Sequence, residues 1–395
     1  MNSGREVVVL SGVRTAIGDY GGGLKDIAPT ELAAKVIREA VGRAKISGED
    51  VGHVVVGNVI HTEPKDMYIS RVATINAGLP KETPALTLNR LCGSGLQAIV
   101  SAAQAIALGD AEVAVGGGVE SMSRGAYALP SARWGARMGD AQILDMMVGA
   151  LTDPFDAVHM GITAENVATK WEISRQQQDE MALESNRRAV HAIQKGHFKD
   201  QILPIELKTR KGTVVVDTDE HPRADASLES LGKLKTVFKS DGTVTAGNAS
   251  GINDGAAAVV LMERKAAEKR GLKPLARLVA YAHAGVDPKY MGIGPVPAVK
   301  KVMERAGLRV GDMDVIESNE AFAAQACAVA KDLGFDLKKV NPNGGAIALG
   351  HPIGATGCIL TVKAIYELQR AGGQYGLVTM CIGGGQGIAA VFERL

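Results

Sequence analysis

From Glu31 to Ile60 the chain reads ELAAKVIREAVGRAKISGEDVGHVVVGNVI, and the spacing of its apolar residues changes part-way along. Leu32, Val36, Ile37, Ala40 and Val41 recur at the three-and-four spacing of one helix face, with Thr30 as the predicted N-cap. A short polar link follows, and then a run of consecutive apolar residues that predicts a strand. The same order returns between Pro297 and Gln325, as PAVKKVMERAGLRVGDMDVIESNEAFAAQ. A second echo pairs CGSGLQAIVSAAQAIALGDAEVAVGGG, from Cys92, with GATGCILTVKAIYELQRAGGQYGLVTMCIGGG, from Gly354. Each has small residues, a helix, a glycine-containing turn, a strand and a triple glycine. Residue identities barely match, but the order does, which is how an internal repeat reads.

The repeat predicts an α/β protein of two similar halves, residues 1–120 and 270–395, each a mostly parallel sheet with helices packed on it. The first strand is EVVVLSGVR, and no apolar h-region of a signal peptide precedes it. The helix after Cys92 carries apolar or small residues on nearly every face, including Leu96, Ile99, Val100, Ala103 and Ile106. Such a helix is buried, which puts it between the halves and Cys92 near their interface. Residues 121–250 differ in character: charged helical stretches, a capping box at Ser174 and Gln177, then turn-rich DTDEHPRADAS. They predict an insertion on the N-terminal half that covers a substrate, with residues 251–269 completing that half.

Bulk properties narrow the class. At 395 residues the chain exceeds a usual single core, and a net charge of +1 gives no overall field for nucleic acid or a membrane surface. No apolar stretch reads as long enough to span a bilayer. The four cysteines, Cys92, Cys327, Cys358 and Cys381, form no CxxC pair, which argues against a structural zinc site. They are too few for a disulfide framework, so a reducing, cytoplasmic setting is expected.

Four glycine-rich stretches carry reactive side chains. Cys92 stands at a strand-to-helix corner, where a thiol is either a small buried hydrophobe or, with its pKa lowered by the helix N-terminus, a nucleophile. His351 lies between Gly350 and Pro352 before another helix, suited to taking a thiol proton. Cys381 ends an apolar strand and enters CIGGGQG, whose backbone N–H groups can converge on an anion. Asn319 and Glu320 end the strand before AFAA, which alone reads as a helix cap. Neither GxGxxG, nor GxxxxGK[ST], nor GxSxG occurs, which disfavours a nicotinamide dehydrogenase, a P-loop enzyme and a serine hydrolase. Cys327 and Cys358 fall inside helix-like apolar runs and read as core.

NRLCGSGLQA, NEAFAAQ, NPNGGAIALGHPIGATG and CIGGGQG together resemble the signature blocks of thiolases, the acetyl-CoA acetyltransferases and 3-ketoacyl-CoA thiolases. HMGITAENVA and GTVTAGNASGINDGAAAVV extend the resemblance over the whole chain, and it is nearest to bacterial β-ketothiolases that supply polyhydroxyalkanoate synthesis. The resemblance implies a five-layered αβαβα fold and a homotetramer, a dimer of dimers, with RWGARMGD in its tetramerisation loop. It implies acetyl-CoA, acyl-CoA and 3-ketoacyl-CoA as partners, with coenzyme A as substrate or product, no tightly bound cofactor and no metal. Cys92 would carry the acyl group, His351 would take its proton, and Cys381 would act as base at carbon or on coenzyme A. One oxyanion site would use His351 and a water held by Asn319, the other the N–H groups of Cys92 and Gly383. Ser250, Arg223, Leu151, His159, Met160 and Ala246 match residues on the coenzyme A path, and Met291, Ala321 and Phe322 those at the acyl end. A decarboxylating ketoacyl synthase and a non-catalytic acyl-CoA carrier are rival readings on a similar fold.

Overall fold

Two copies of one β/α unit build the molecule, seen in a computed structural model that describes residues 4–210 and 212–395. In the first copy β1 (Val7–Arg14), β2 (His53–Gly57), β3 (Ala85–Leu88), β4 (Val113–Ser121) and β5 (Asn253–Glu263) lie in the order β3-β2-β4-β5-β1. In the second, β6 (Ala276–Gly285), β7 (Val315–Ser318), β8 (Tyr375–Ile382) and β9 (Gln386–Arg394) lie in the order β7-β8-β9-β6. A parallel bridge from Ile316 to Val340 stands where β3 stands in the first copy. β2 runs parallel to β3 and β4, and β7 parallel to β8, while β5 and β9 are antiparallel to their neighbours. The two sheets are not separate: Val8 pairs with Arg277 and Val9 with Ala276, a two-residue seam joining β1 to its counterpart β6.

Five layers result. On the first sheet's outer face lie α1 (Pro29–Arg43) and α2 (Ile69–Asn76). α6 (Pro295–Ala306) covers the second sheet's outer face. Between the sheets run α3 (Ser94–Leu108) and α8 (Ile353–Ala371), and α8 packs on strands of both. The predicted apolar face of α1 is buried in full, but Thr30 lies inside the helix rather than capping it. Pro29 occupies the first helical position, where its fixed φ starts the turn one residue earlier than a threonine cap would. The segment Leu91–Leu108 has the length and composition to cross a membrane, contrary to the expectation that no stretch does; here it holds the corner at Cys92 and the central helix α3, packed between two sheets.

Glycines let the central helices touch backbone to backbone. A Cβ on Gly357 would lie 2.3 Å from the Leu96 nitrogen, and one on Gly95 would lie 2.7 Å from the Cys358 nitrogen. No real side chain tolerates such contacts, so bare backbone at both positions sets how closely α3 and α8 cross. They cross at their first turns, immediately after Cys92 and His351. Cys358 sits in this crossing and is fully buried.

The chain leaves the first sheet at Ser121 and returns at Asn253. The excursion includes α4 (Met160–Lys170), α5 (Arg175–Gln194), whose Ser174/Gln177 capping box is formed, and a hairpin of Ile205–Thr209 with Gly212–Val216. Arg14 fastens it to β1 through a buried bidentate pair with Asp219, at 2.7 and 2.9 Å. It also crosses to the other half. α5 packs on α7 (Ala323–Leu333) and on the short helix Ala346–Leu349, and Ser185 donates to Glu320 at 2.7 Å. The insertion therefore touches both halves.

Candidate active site

Cys92 lies at a tight corner. Leu91, just before it, has φ +43°, a left-handed conformation that costs a branched residue of order 1–3 kcal/mol and marks stored strain. Ser94 holds the corner by accepting from the Arg90 N–H at 2.8 Å and donating to the Leu91 carbonyl at 2.7 Å. The Asn89 side chain accepts the Leu91 N–H at 2.8 Å. His351 enters from Gly350, at φ +106°, and its own N–H is accepted by Asn253 at 2.9 Å. Cys381 closes β8, and the following glycines make the turn into β9, with Gly384 and Gly385 at positive φ.

These corners meet. Cys92, His351, Cys381 and Gly383 line one cavity of about 340 Å³. Leu151, His159, Met160, Ala246 and Ser250 line the same cavity, as do Met291, Ala321 and Phe322. The Ser250 N–H donates to the Ala321 carbonyl at 3.0 Å, tying the insertion's last loop to the NEAFAA loop. Asn319 stands behind His351, fully buried, with its Nδ2 3.4 Å from His351 Nε2. Its Oδ1 has no partner among the described residues. Arg223 does not line the cavity. Its N–H donates to Asn186 at 2.9 Å while its side chain points to solvent. The neighbouring His221 packs against Gly251, next to Ser250.

Two contributors were not legible from spacing. Phe238 stacks on His159 with ring centroids 4.6 Å apart and meets Phe322 edge-on at 6.2 Å. Thr356 Oγ1 donates to the Pro352 carbonyl at 2.9 Å and so accepts from His351 Nδ1 at 2.7 Å. That pair assigns the proton to Nδ1, so the Nε2 lone pair accepts a long hydrogen bond from Asn319 Nδ2 and is the ring's one place for a further proton. The threonine was present in GHPIGATG, but only the turn around the histidine shows what it holds. A larger cleft of about 620 Å³ lies between α5 and α7 and takes in Cys327, which is partly buried against Val167, Ile173 and Ala328. Burial pushes that thiol up to about 12, and among the described residues no second thiol or imidazole lines the cleft.

The electrostatics bear on the alternatives left open at Cys92. Burial pushes the Cys92 thiol up to about 11, outweighing the N–H groups of Gly383 and of Cys92 itself, which pull it down. Burial also lowers His351 to about 4. The resting site therefore holds a neutral thiol beside a neutral imidazole, not a ready thiolate. Cys381, buried and next to Cys92, is pushed up further. Iodoacetamide alkylation of Cys92 in the free enzyme should accordingly keep accelerating from pH 7 through pH 10. A plateau reached by pH 7.5 would show a preformed thiolate.

Sequence and fold comparisons cover nearly the whole chain. The family model for the thiolase N-terminal domain matches residues 7–265, and that for the C-terminal domain residues 272–394. The chain belongs to the thiolase family. It is 70% identical to β-ketothiolase BktB of Cupriavidus necator over 99% of this chain and 100% of that one. The structure of the Bacillus anthracis acetyl-CoA acetyltransferase superposes with a TM-score of 0.97 at 48% identity, covering 99% of both chains. Human mitochondrial 3-ketoacyl-CoA thiolase in complex with CoA superposes with a TM-score of 0.96 at 46% identity, covering 99% of this chain and 98% of that one. As a thiolase the protein is an acyltransferase, and its reaction is the reversible Claisen condensation of two acyl thioesters.

Proposed function

We propose that this thiolase condenses acetyl-CoA with a short acyl-CoA, and cleaves the resulting 3-ketoacyl-CoA with coenzyme A, through an acyl group carried on Cys92. The observation that carries this reading is the meeting of two thiols and a proton-accepting imidazole on one cavity. In the cleavage direction the Cys92 sulfur attacks the 3-keto carbon as its proton passes to His351 Nε2. The C2–C3 bond breaks, and the electron pair left on C2 is protonated by Cys381, releasing acetyl-CoA. The Cys381 thiolate then takes the proton of an incoming coenzyme A thiol. That sulfur attacks the Cys92 thioester, and the departing Cys92 recovers its proton from His351.

Charge develops on two oxygens in turn. The N–H groups of Gly383 and Cys92 already converge near the Cys92 sulfur, where a tetrahedral intermediate would form. Protonated His351 and a water held by Asn319 would face the enolate. Losing one such donor typically costs on the order of 100- to 1000-fold in rate. Ser250, Leu151, His159, Met160 and Ala246 would line the pantetheine path, and the exposed, planar guanidinium of Arg223 suits stacking on adenine. Met291, Ala321 and Phe322 would bound the acyl end. No cofactor is held tightly, and coenzyme A comes and goes as substrate.

The working unit is a homotetramer of the cytoplasm. Trp134 and Met138, 82% and 98% exposed, sit on an outlying loop where apolar side chains gain by burial against a second copy. Light scattering should report four chains per particle. The decisive assay compares CoA-dependent cleavage of acetoacetyl-CoA with that of a five-carbon 3-ketoacyl-CoA. Both should be consumed. Consumption of malonyl-CoA instead would favour a decarboxylating synthase, and no turnover at all would favour a carrier.

A further inference from the structure

Strand register lays one half of the molecule on the other, residue by residue. Gly57 of β2 pairs with Gly118 of β4, and Ser318 of β7 pairs with Thr379 of β8. Stepping past the pairs, Asn58 corresponds to Asn319 and Glu120 to Cys381. Cys92 precedes the start of α3 at Ser94 by the same interval that separates His351 from the start of α8 at Ile353. Each reacting group thus has a counterpart in the other copy: Cys92 with His351, Asn319 with Asn58, Cys381 with Glu120. The asparagines share another trait, a buried Oδ1 without a partner among the described residues. Asn58 and Glu120 alone of these six have no part in the chemistry above.

Glu120 is fully buried and accepts four N–H groups from two separate segments. Asn58 Nδ2 and the Ile60 N–H each lie 3.0 Å from Oε1. The Val59 N–H lies 3.2 Å from Oε2, and the Gly354 N–H 2.8 Å from the same oxygen. Gly354 follows His351 by three residues and lies in the first turn of α8. A Cβ on Gly354 would lie 2.5 Å from Glu120 Oε2, so the loop is seated directly on the carboxylate. The geometry points to Glu120 as a positioning residue that, oriented by Asn58, fixes the His351 loop against the Cys92 corner. The position that supplies a base in one copy supplies an anchor in the other.

The surrounding charges make this testable apart from stability. Burial pushes Glu120 up to about 8, with Asp66 adding to the rise and the N–H donors opposing it. Above that pH it is ionised, and its negative charge helps hold the Cys92 thiol high. Glu120→Gln keeps the shape, removes that charge and sets an amide NH₂ against N–H donors. The inference rests on Cys92 and His351 acting as proposed, and acetyl labelling of the wild-type enzyme tests that separately. With label on Cys92, the expected result for Glu120→Gln is a kcat for acetoacetyl-CoA thiolysis lowered about 100-fold, the scale of a misplaced reacting group. KM for CoA should change less than about threefold. The midpoint of Cys92 alkylation should move to lower pH, so the thiol ionises more easily while turnover falls. Glu120→Asp keeps the charge and should leave that midpoint in place.

A kcat within twofold of wild type overturns the inference. So does a fall in kcat with KM rising in step and the alkylation midpoint unmoved, the pattern of general loosening. If Glu120→Gln does not fold, Asn58→Ala removes one of the four donors and should lower kcat roughly tenfold at constant KM. An unchanged kcat in that variant overturns the inference equally.

Discussion

Cys92→Ser is expected to reduce turnover by on the order of 10⁴-fold or more and to leave no acetyl adduct after incubation with acetyl-CoA. The thiol already needs help at about 11, with the imidazole on its cavity lowered to about 4. A hydroxyl is a far weaker acid than a thiol, so the same imidazole has a steeper proton transfer to drive. The loss should fall on kcat, because the serine fills nearly the same space and the coenzyme A path is untouched. Mass spectrometry of peptides from the acetylated wild-type enzyme provides the check. Label on any residue other than Cys92 would overturn the assignment.

Cys381→Ser separates the two halves of the reaction. This variant should still acquire an acetyl group on Cys92, since His351 accepts that proton without Cys381. Condensation should fall by roughly 10²- to 10⁴-fold, the usual worth of a positioned acid or base. Cys381 is 1% exposed and sits where bulk water cannot substitute for it. Single-turnover acetylation followed by measured formation of acetoacetyl-CoA tests both statements on one sample. Normal condensation would remove Cys381 from the mechanism, and failure to acetylate would place it in the first step.

Local pattern carried most of the architecture. The face of α1, the capping box of α5 and the all-round burial of α3 depend on neighbours within a turn or two, and spacing reveals them. The resemblance brought Cys92, His351, Asn319 and Cys381 into one expectation, and the structure places the first, second and fourth on one cavity wall with Asn319 behind. What spacing does not reveal was set by distant packing. The direction of the Cys92 shift follows from burial by other segments, which no helix N-terminus reveals. Phe238 enters the site through a ring stack with His159, across a long stretch of insertion. The insertion reaches the other half through Ser185 and Glu320, 135 residues apart in sequence. Arg223 enters only through its match to the family, for its exposed side chain lies outside the cavity that gathers the other site residues.

The close crossing of α3 and α8 joins chemistry drawn from opposite copies. Cys92 stands just before one helix and His351 just before the other, so neither half alone holds both groups. A side chain at Gly95 or Gly357 would wedge the helices apart and carry sulfur away from imidazole.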